Sequence, residues 1–301
     1  MESITHGRRV VRGLTVIVCF LLINQLSCDP LAERPPVSFV AFGDWGTGSV
    51  YQWLVAQRIK NFCEVEPCDF VMTLGDNFYE TGVSGTDDPQ WEKKFKRFYG
   101  RLKIPFYASL GSHDMGGNVA AQIDYSNLSE MWRMPAEEYV ISRLDRHHDP
   151  LIDLFVVNSW NFTSEAEEWL GESIIASQAS WKILVMNAPL ISNATRGEDD
   201  AGIGERLLPI ICNKVQLILS GHDHLFSHLR DEIDGCSVEQ IILGTGGANL
   251  QEYDENDPRV LKTGSFHGFG FFSVWSDRVV MQVETSEHEE FYRHEWTRES
   301  R

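Results

Sequence analysis

Four short runs concentrate the side chains of this sequence that bind hard and borderline metal ions. They are Gly43-Asp44-Trp45-Gly46, Gly75-Asp76-Asn77-Phe78-Tyr79, Gly111-Ser112-His113-Asp114 and Gly221-His222-Asp223-His224. Asp, His and Tyr supply carboxylate, imidazole and phenolate donors. One carboxylate can bridge two cations about 3.5–4 Å apart, and a phenolate favours a trivalent ion such as Fe(III). His222 and His224 are spaced by two, so in an extended segment or on a tight loop each can serve a different ion. Any single Asp after a Gly is ordinarily a turn or cap residue. Four such runs in one chain point instead to a two-metal hydrolytic centre.

The elements that must position these runs are strands. Stretches rich in β-branched and aromatic residues recur at Val37–Phe42, Phe70–Leu74, Pro105–Leu110, Ile152–Val157, Trp181–Met186, Val215–Leu219 and Glu239–Leu243. Phe271–Val274 and Val279–Glu284 read as a hairpin turning at Ser276-Asp277. Helical spacing places Tyr51, Leu54, Val55, Ile59 and Phe62 on one face, and Glu92–Tyr99 and Glu165–Ile175 also read as helices. Asp44 to Asp76 fits one βαβ unit. Later strands follow one another with fewer helices, which predicts an α/β (mixed α+β) fold: a four-layer αββα sandwich of two mixed β-sheets flanked by helices. Ligands then gather at the carboxyl ends of strands.

The chain has 301 residues with no repeat or compositional break, so one large domain is expected over 37–286, with a polar tail at 287–301. Arg8, Arg9 and Arg12 precede the apolar stretch Leu14–Ile23, with small residues at Ser27 and Cys28. That layout predicts a signal peptide over 1–28, too short in its apolar part to span a bilayer. A twin-arginine signal at Arg8-Arg9 and a lipobox-like Leu26-Ser27-Cys28 fit less well. The expected location is secreted or lumenal, periplasmic if the chain is bacterial, with no transmembrane anchor in the mature chain. Net charge is −18, and losing residues 1–28 removes three Arg and one Glu. A surface so acidic repels nucleic acid and anionic membranes, and an anionic substrate then needs local positive charge such as bound metal. Beyond the signal, Cys63, Cys68, Cys212 and Cys236 give the even count of an oxidising compartment, with pairing expected as Cys63–Cys68 and Cys212–Cys236. Asn127, Asn161 and Asn193 head glycosylation sequons.

The pattern resembles the calcineurin-like metallophosphoesterase superfamily, and within it the small purple (tartrate-resistant) acid phosphatases, over roughly residues 37–275. The resemblance is carried by the Gly-Asp-Trp-Gly, Gly-Asp-Asn-Phe-Tyr and Gly-His-Asp-His runs, with Trp132-Arg133-Met134-Pro135 and Trp169-Leu170. It implies the metallophosphatase fold and a trivalent iron site of Asp44, Asp76, Tyr79 and His224. Asp76 would bridge to a second divalent ion (Fe, Zn or Mn), for which His222 is a ligand. That second site departs from the family pattern. Ser112 stands where the family has Asn, and Asn187, in Val185-Met186-Asn187-Ala188-Pro189, stands where it has His. A hydroxyl and an amide are poorer donors than an amide and an imidazole, so this ion is held weakly. The resemblance also makes His113 and Asp114 catalytic, with His113 beside the leaving group, and puts Arg196 in place of a phosphate-facing His. Arginine grips phosphate but does not serve as an acid near neutral pH.

The function implied is phosphomonoester hydrolysis of the acid phosphatase type, a metal-bound water attacking a phosphate ester, with altered or reduced activity. The alternative is a catalytically impaired phosphatase-like scaffold with a protein partner, for which a membrane-anchoring relative in apicomplexan parasites is a family precedent. Gly244-Thr245-Gly246-Gly247 lacks the lysine of a nucleotide-phosphate loop and reads as a structural turn at a strand end.

Overall fold

The computed structural model describes residues 35–195 and 201–298. The expected signal at 1–28 and Arg196 lie outside the described residues. The six consecutive buried residues Val37–Phe42 form β1, and Phe70–Thr73 forms β2, parallel to it. β3 (Phe106–Ala108) and β4 (Trp132–Arg133) extend the same parallel run. On the other side of β1, β12 (Gly268–Val274), β13 (Arg278–Thr285) and β14 (Glu290–Thr297) add antiparallel strands. The first sheet therefore runs β14-β13-β12-β1-β2-β3-β4. The second contains β5 (Tyr139–Leu144), β6 (Pro150–Val156), β7 (Trp181–Val185), β8 (Leu217–Ser220), β9 (Phe226–Ile233), β10 (Cys236–Leu243) and β11 (Val260–Gly264). Its order is β11-β9-β10-β8-β7-β6-β5, with β6, β7, β8 and β10 parallel.

Period-2 alternation decides which way each inner strand looks. Ile183 and Val185 of β7 join the core between the sheets, while Leu184 and Met186 join a second cluster beneath α3 (Ser164–Ala176) and α4 (Gly204–Ile211). In the first sheet Phe39 is fully buried and stacks on its cross-strand neighbours Phe70 and Phe272, at centroid distances of 5.1 and 4.8 Å. Burying one such ring stabilises the fold by about 1.5–3 kcal/mol. The α1 helix (Val50–Cys63) starts at Ser49, whose hydroxyl accepts from the Gln52 N–H at 3.2 Å. It is followed by the π-helical segment Trp91–Lys96, which runs into α2 (Arg97–Tyr99). The layered arrangement of two mixed sheets with flanking helices is the one the strand and helix spacing predicts.

Several local expectations change. The buried face of α1 is Gln52, Val55, Ala56, Ile59 and Phe62, while Tyr51 and Leu54 are exposed. Gln52 goes inside because its amide accepts from the Gly48 N–H at 2.7 Å and donates to the Lys94 carbonyl at 2.6 Å. Within the stretch expected as a polar tail, β14 pairs with β13 from Arg278↔Thr297 to Glu284↔Glu290. Cys63 and Cys68 form a disulfide with Cα atoms 5.5 Å apart. Cys212 and Cys236 are free thiols. Burial and the adjoining Cys212 push the Cys236 thiol up to about 11. Asn127 and Asn161 are exposed, but Asn193 is buried, its amide donating to the Asp254 carbonyl and accepting from Ser227 Oγ. That third sequon is closed in the fold. No described helix is long and apolar enough to cross a membrane.

Candidate metal centre

Five strand ends from both sheets deliver the candidate residues: Asp44 after β1, Asp76 after β2, Ser112 to Asp114 after β3, Asn187 after β7, and His222 and His224 after β8. The chain turns sharply at three of them. Asp44, Asp76 and His222 adopt φ of 60°, 50° and 68°. Residues other than glycine enter this left-handed region at a cost, and such positions gather at functional sites. Behind the turns Trp45, Phe78, Trp91, Phe95 and Trp132 form a buried aromatic cluster, with Trp45 and Phe78 5.8 Å apart. Two glycines admit no side chain here. A Cβ on Gly46 would lie 1.7 Å from the Asn77 carbonyl oxygen, and one on Gly111 would lie 2.1 Å from the Asp76 nitrogen.

Each carboxylate is pinned by one oxygen and aimed with the other. The His222 N–H donates to Asp44 Oδ2 at 2.8 Å, and the His113 N–H donates to Asp76 Oδ1 at 2.8 Å. The remaining oxygens, Asp44 Oδ1 and Asp76 Oδ2, lie 3.2 and 3.3 Å from Tyr79 Oη. His224 Nε2 approaches the same point, 3.1 Å from Tyr79 Oη and 3.5 Å from Asp44 Oδ1. Its Nδ1 is 2.7 Å from the Asn249 carbonyl, which only accepts, so Nδ1 carries the proton and Nε2 offers its lone pair. Donors around one cation at about 2.0–2.2 Å sit about 3 Å from each other, so Asp44, Asp76, Tyr79 and His224 fit one hard ion. The electrostatics agree. Burial, then the Asp44 and Asp114 carboxylates, hold the Asp76 carboxyl well above its ordinary range. Burial, then Asp44 and Asp76, push the Tyr79 phenol up. A bound cation would reverse both trends.

The residues expected around a second ion do not fit one as they stand. Ser112 Oγ lies 3.4 Å from both Asp76 oxygens. Asn187 uses both ends of its amide within the protein: Nδ2 donates to the Leu74 carbonyl at 2.7 Å, and Oδ1 accepts from Trp160 Nε1 at 2.8 Å. The Trp160 ring meets His222 edge-on, with centroids 4.9 Å apart.

His113 lines a cavity of about 520 Å³ with Thr47, Ser49, Tyr79, Glu80, His224 and Gln251. Its Nδ1 donates to the Glu80 carbonyl at 2.6 Å, leaving Nε2 for the cavity. Asp114, expected in the catalytic set, is fully buried and turned away from that cavity. It accepts from the Asn77 and Gly111 N–H groups, the Asn77 amide and Gln122 Nε2, at 2.9–3.0 Å. Burial pushes its carboxyl up to about 6 despite these donors. Its place in the structure is a brace under the Asp76 turn. Asn77 is the other half of that brace, and Trp160 is the wall beside His222. The Gly-Asp-Asn run exposed Asn77 to sequence reasoning, but nothing near Trp160 in sequence marks it. The glycine-rich turn is structural as expected: Thr245 Oγ1 donates to the Gly268 carbonyl at 2.8 Å, and a Cβ on Gly246 would lie 2.4 Å from the Gly43 carbonyl.

Residues 37–226 match the calcineurin-like phosphoesterase family. Purple acid phosphatase 17 of Arabidopsis thaliana is 30% identical over 312 residues, spanning 89% of each chain. Tartrate-resistant acid phosphatase type 5 of Homo sapiens is 27% identical, covering 88% of this chain and 93% of its own. Among solved structures, GAP50, the anchor in the inner membrane complex of Plasmodium, superposes with a TM-score of 0.78 at 24% identity, covering 89% of this chain and 90% of that one. The strand-end carboxylates and histidines, the paired mixed sheets and these likenesses together make the chain a member of the calcineurin-like phosphoesterase family, related to the purple acid phosphatases.

Proposed function

We propose that the protein is a metal-dependent phosphomonoesterase of the acid phosphatase type whose turnover is reduced relative to a two-ion enzyme. The observation that carries this is the convergence of Asp44 Oδ1, Asp76 Oδ2, Tyr79 Oη and His224 Nε2 at 3.1–3.5 Å. A trivalent ion such as Fe(III) held there would act as a Lewis acid on a phosphate oxygen. The chain's own residues do the rest. The Asn249 carbonyl and the backbone N–H groups of His113 and His222 fix the donors before the substrate arrives. His113 faces the cavity through Nε2 and, when protonated, donates to the alkoxide that departs as water attacks phosphorus. The family relatives, named as acid phosphatases, support a phosphate ester as substrate. The Cys63–Cys68 disulfide supports a secretory, oxidising compartment.

A second reading is a phosphatase-like scaffold with a protein partner, favoured by the engaged amide of Asn187 and by Ser112. The likeness to the Plasmodium anchor carries the fold only. An aryl phosphate assay at acidic pH, run beside Asp76→Ala, separates the two. Turnover clearly above the control is expected, and turnover equal to it would discard the hydrolase in favour of the scaffold.

A further inference from the structure

The second cation's place in this fold is closed by an indole, and we infer that Trp160 together with Asn187 makes this a one-ion site. The inference rests on the reading of Asp44, Asp76, Tyr79 and His224 as the ligands of one cation. Trp160 is set on the short helical turn Ser159–Asn161, which follows β6 directly. Two bonds fix that turn. Asn158 Oδ1 accepts from the Trp160 N–H at 3.1 Å, and Ser159 Oγ accepts from the Ala188 N–H at 3.0 Å. The second bond ties the loop after β6 to the residue following Asn187. The indole N–H is thereby held 2.8 Å from Asn187 Oδ1, and the ring lies 4.9 Å from the His222 imidazole.

A cation between Asp76 and His222 needs the Asn187 oxygen turned to it and room beside the His222 ring. The Trp160 N–H claims the first, and its ring packs against the His222 imidazole with centroids 4.9 Å apart. The Asn187 amide does not turn over to escape this. Its Nδ2 is spent on the Leu74 carbonyl at 2.7 Å, so a flip would face that buried carbonyl with the amide oxygen and the indole N–H with an amide NH₂. The close approach of the chain on the far side removes any slack, because a Cβ on Gly75 would lie 2.7 Å from the Asn187 Cβ. The polar atoms of this corner are satisfied by each other, as they would be in a wall and not in a ligand cage. Replacing a ligand by a hydrogen-bonded wall changes what the site recognises. One cation and His113 then face the phosphate, with no second positive charge beside His222.

The test counts ions. The full chain is loaded with Fe(III), desalted, titrated with Zn²⁺ by calorimetry and analysed for both metals. The wild type is expected to hold one iron per chain and to show no tight zinc site. The double variant Trp160→Ala with Asn187→His is expected to take up a second ion, with zinc affinity raised at least about 10-fold. Trp160→Phe, which keeps a ring and loses only the N–H, serves where the double variant fails to fold, and is expected to gain a smaller part of that affinity. Two ions per chain in the wild type, the second lost in His222→Ala, would overturn the inference while leaving the metal centre standing. So would folded variants, checked by circular dichroism, that gain no zinc affinity. No ion in any variant would overturn the metal-centre reading, and this inference with it.

Discussion

Replacing Asn77 by Ala should damage the site from behind without touching any ligand atom. Asn77 is fully buried between three strand ends. Its Oδ1 accepts from Trp45 Nε1 at 3.1 Å and from Thr73 Oγ1 at 2.7 Å, and its Nδ2 donates to the Ser109 carbonyl at 2.7 Å and to Asp114 Oδ2 at 3.0 Å. Three bonds between neutral groups at about 1 kcal/mol each, and one to a carboxylate at about 2 kcal/mol, set an upper figure of about 5 kcal/mol. The bonds share one side chain and relax together, so about 3–4 kcal/mol is expected. Urea unfolding of the metal-free protein should show it as a midpoint lowered by on the order of 1 M. The neighbouring Asp76 turn then loses its brace, so iron affinity, measured by chelator competition, should fall about 10–100-fold. A loss under about 1 kcal/mol together with unchanged iron affinity would refute the reasoning, because it would mean that the turn holds its shape without Asn77.

Three further outcomes are expected. His113→Ala should slow hydrolysis of an alkyl phosphate about 10²–10⁴-fold but that of a nitrophenyl phosphate much less, since only the poor leaving group needs the proton; equal losses on both would remove His113 as the acid. Glu239→Gln should destabilise the fold by about 1–2 kcal/mol at pH 7, because burial alone would raise this carboxyl whereas hydrogen bonds from His228 and Trp296 hold it below the ordinary range. A carboxyl depressed in the folded state stabilises above its unfolded pKa and loses that stabilisation as pH falls through the folded value. The gap between variant and wild type in denaturant unfolding should therefore close below about pH 4.3, and a gap independent of pH would contradict it. Alkylation of the native protein at pH 8 should modify Cys212 and then, more slowly, the buried Cys236; peptide mapping that finds neither modified would mean that the two are disulfide-bonded.

The strand ends were legible because the chemistry there is local. A buried apolar run, a glycine and a carboxylate announce a strand, a turn and a donor, and β1 with Asp44 follows that grammar residue by residue. β14 was not legible, since the edge strand Glu290–Thr297 (Glu-Phe-Tyr-Arg-His-Glu-Trp-Thr) keeps no strict alternation of apolar and polar residues and owes its place to β13 and to the bond from Trp296 to Glu239. The same limit applies within the site. Ser112 and Asn187 were recognisable as weak donors from their types, but what Asn187 does with its amide depends on Trp160, which lies 27 residues away in sequence and meets it only through the β6–β7 pairing. Asp114 looked catalytic beside His113, yet the turn after β3 points one side chain into the cavity and the other into the core.

The visible spectrum of the iron-loaded protein tests the central claim most directly. If Asp44, Asp76, Tyr79 and His224 hold the ion, a tyrosinate-to-iron charge-transfer band appears, and Tyr79→Phe abolishes it while iron remains bound. Iron bound without that band, or a band that survives Tyr79→Phe, would contradict the account.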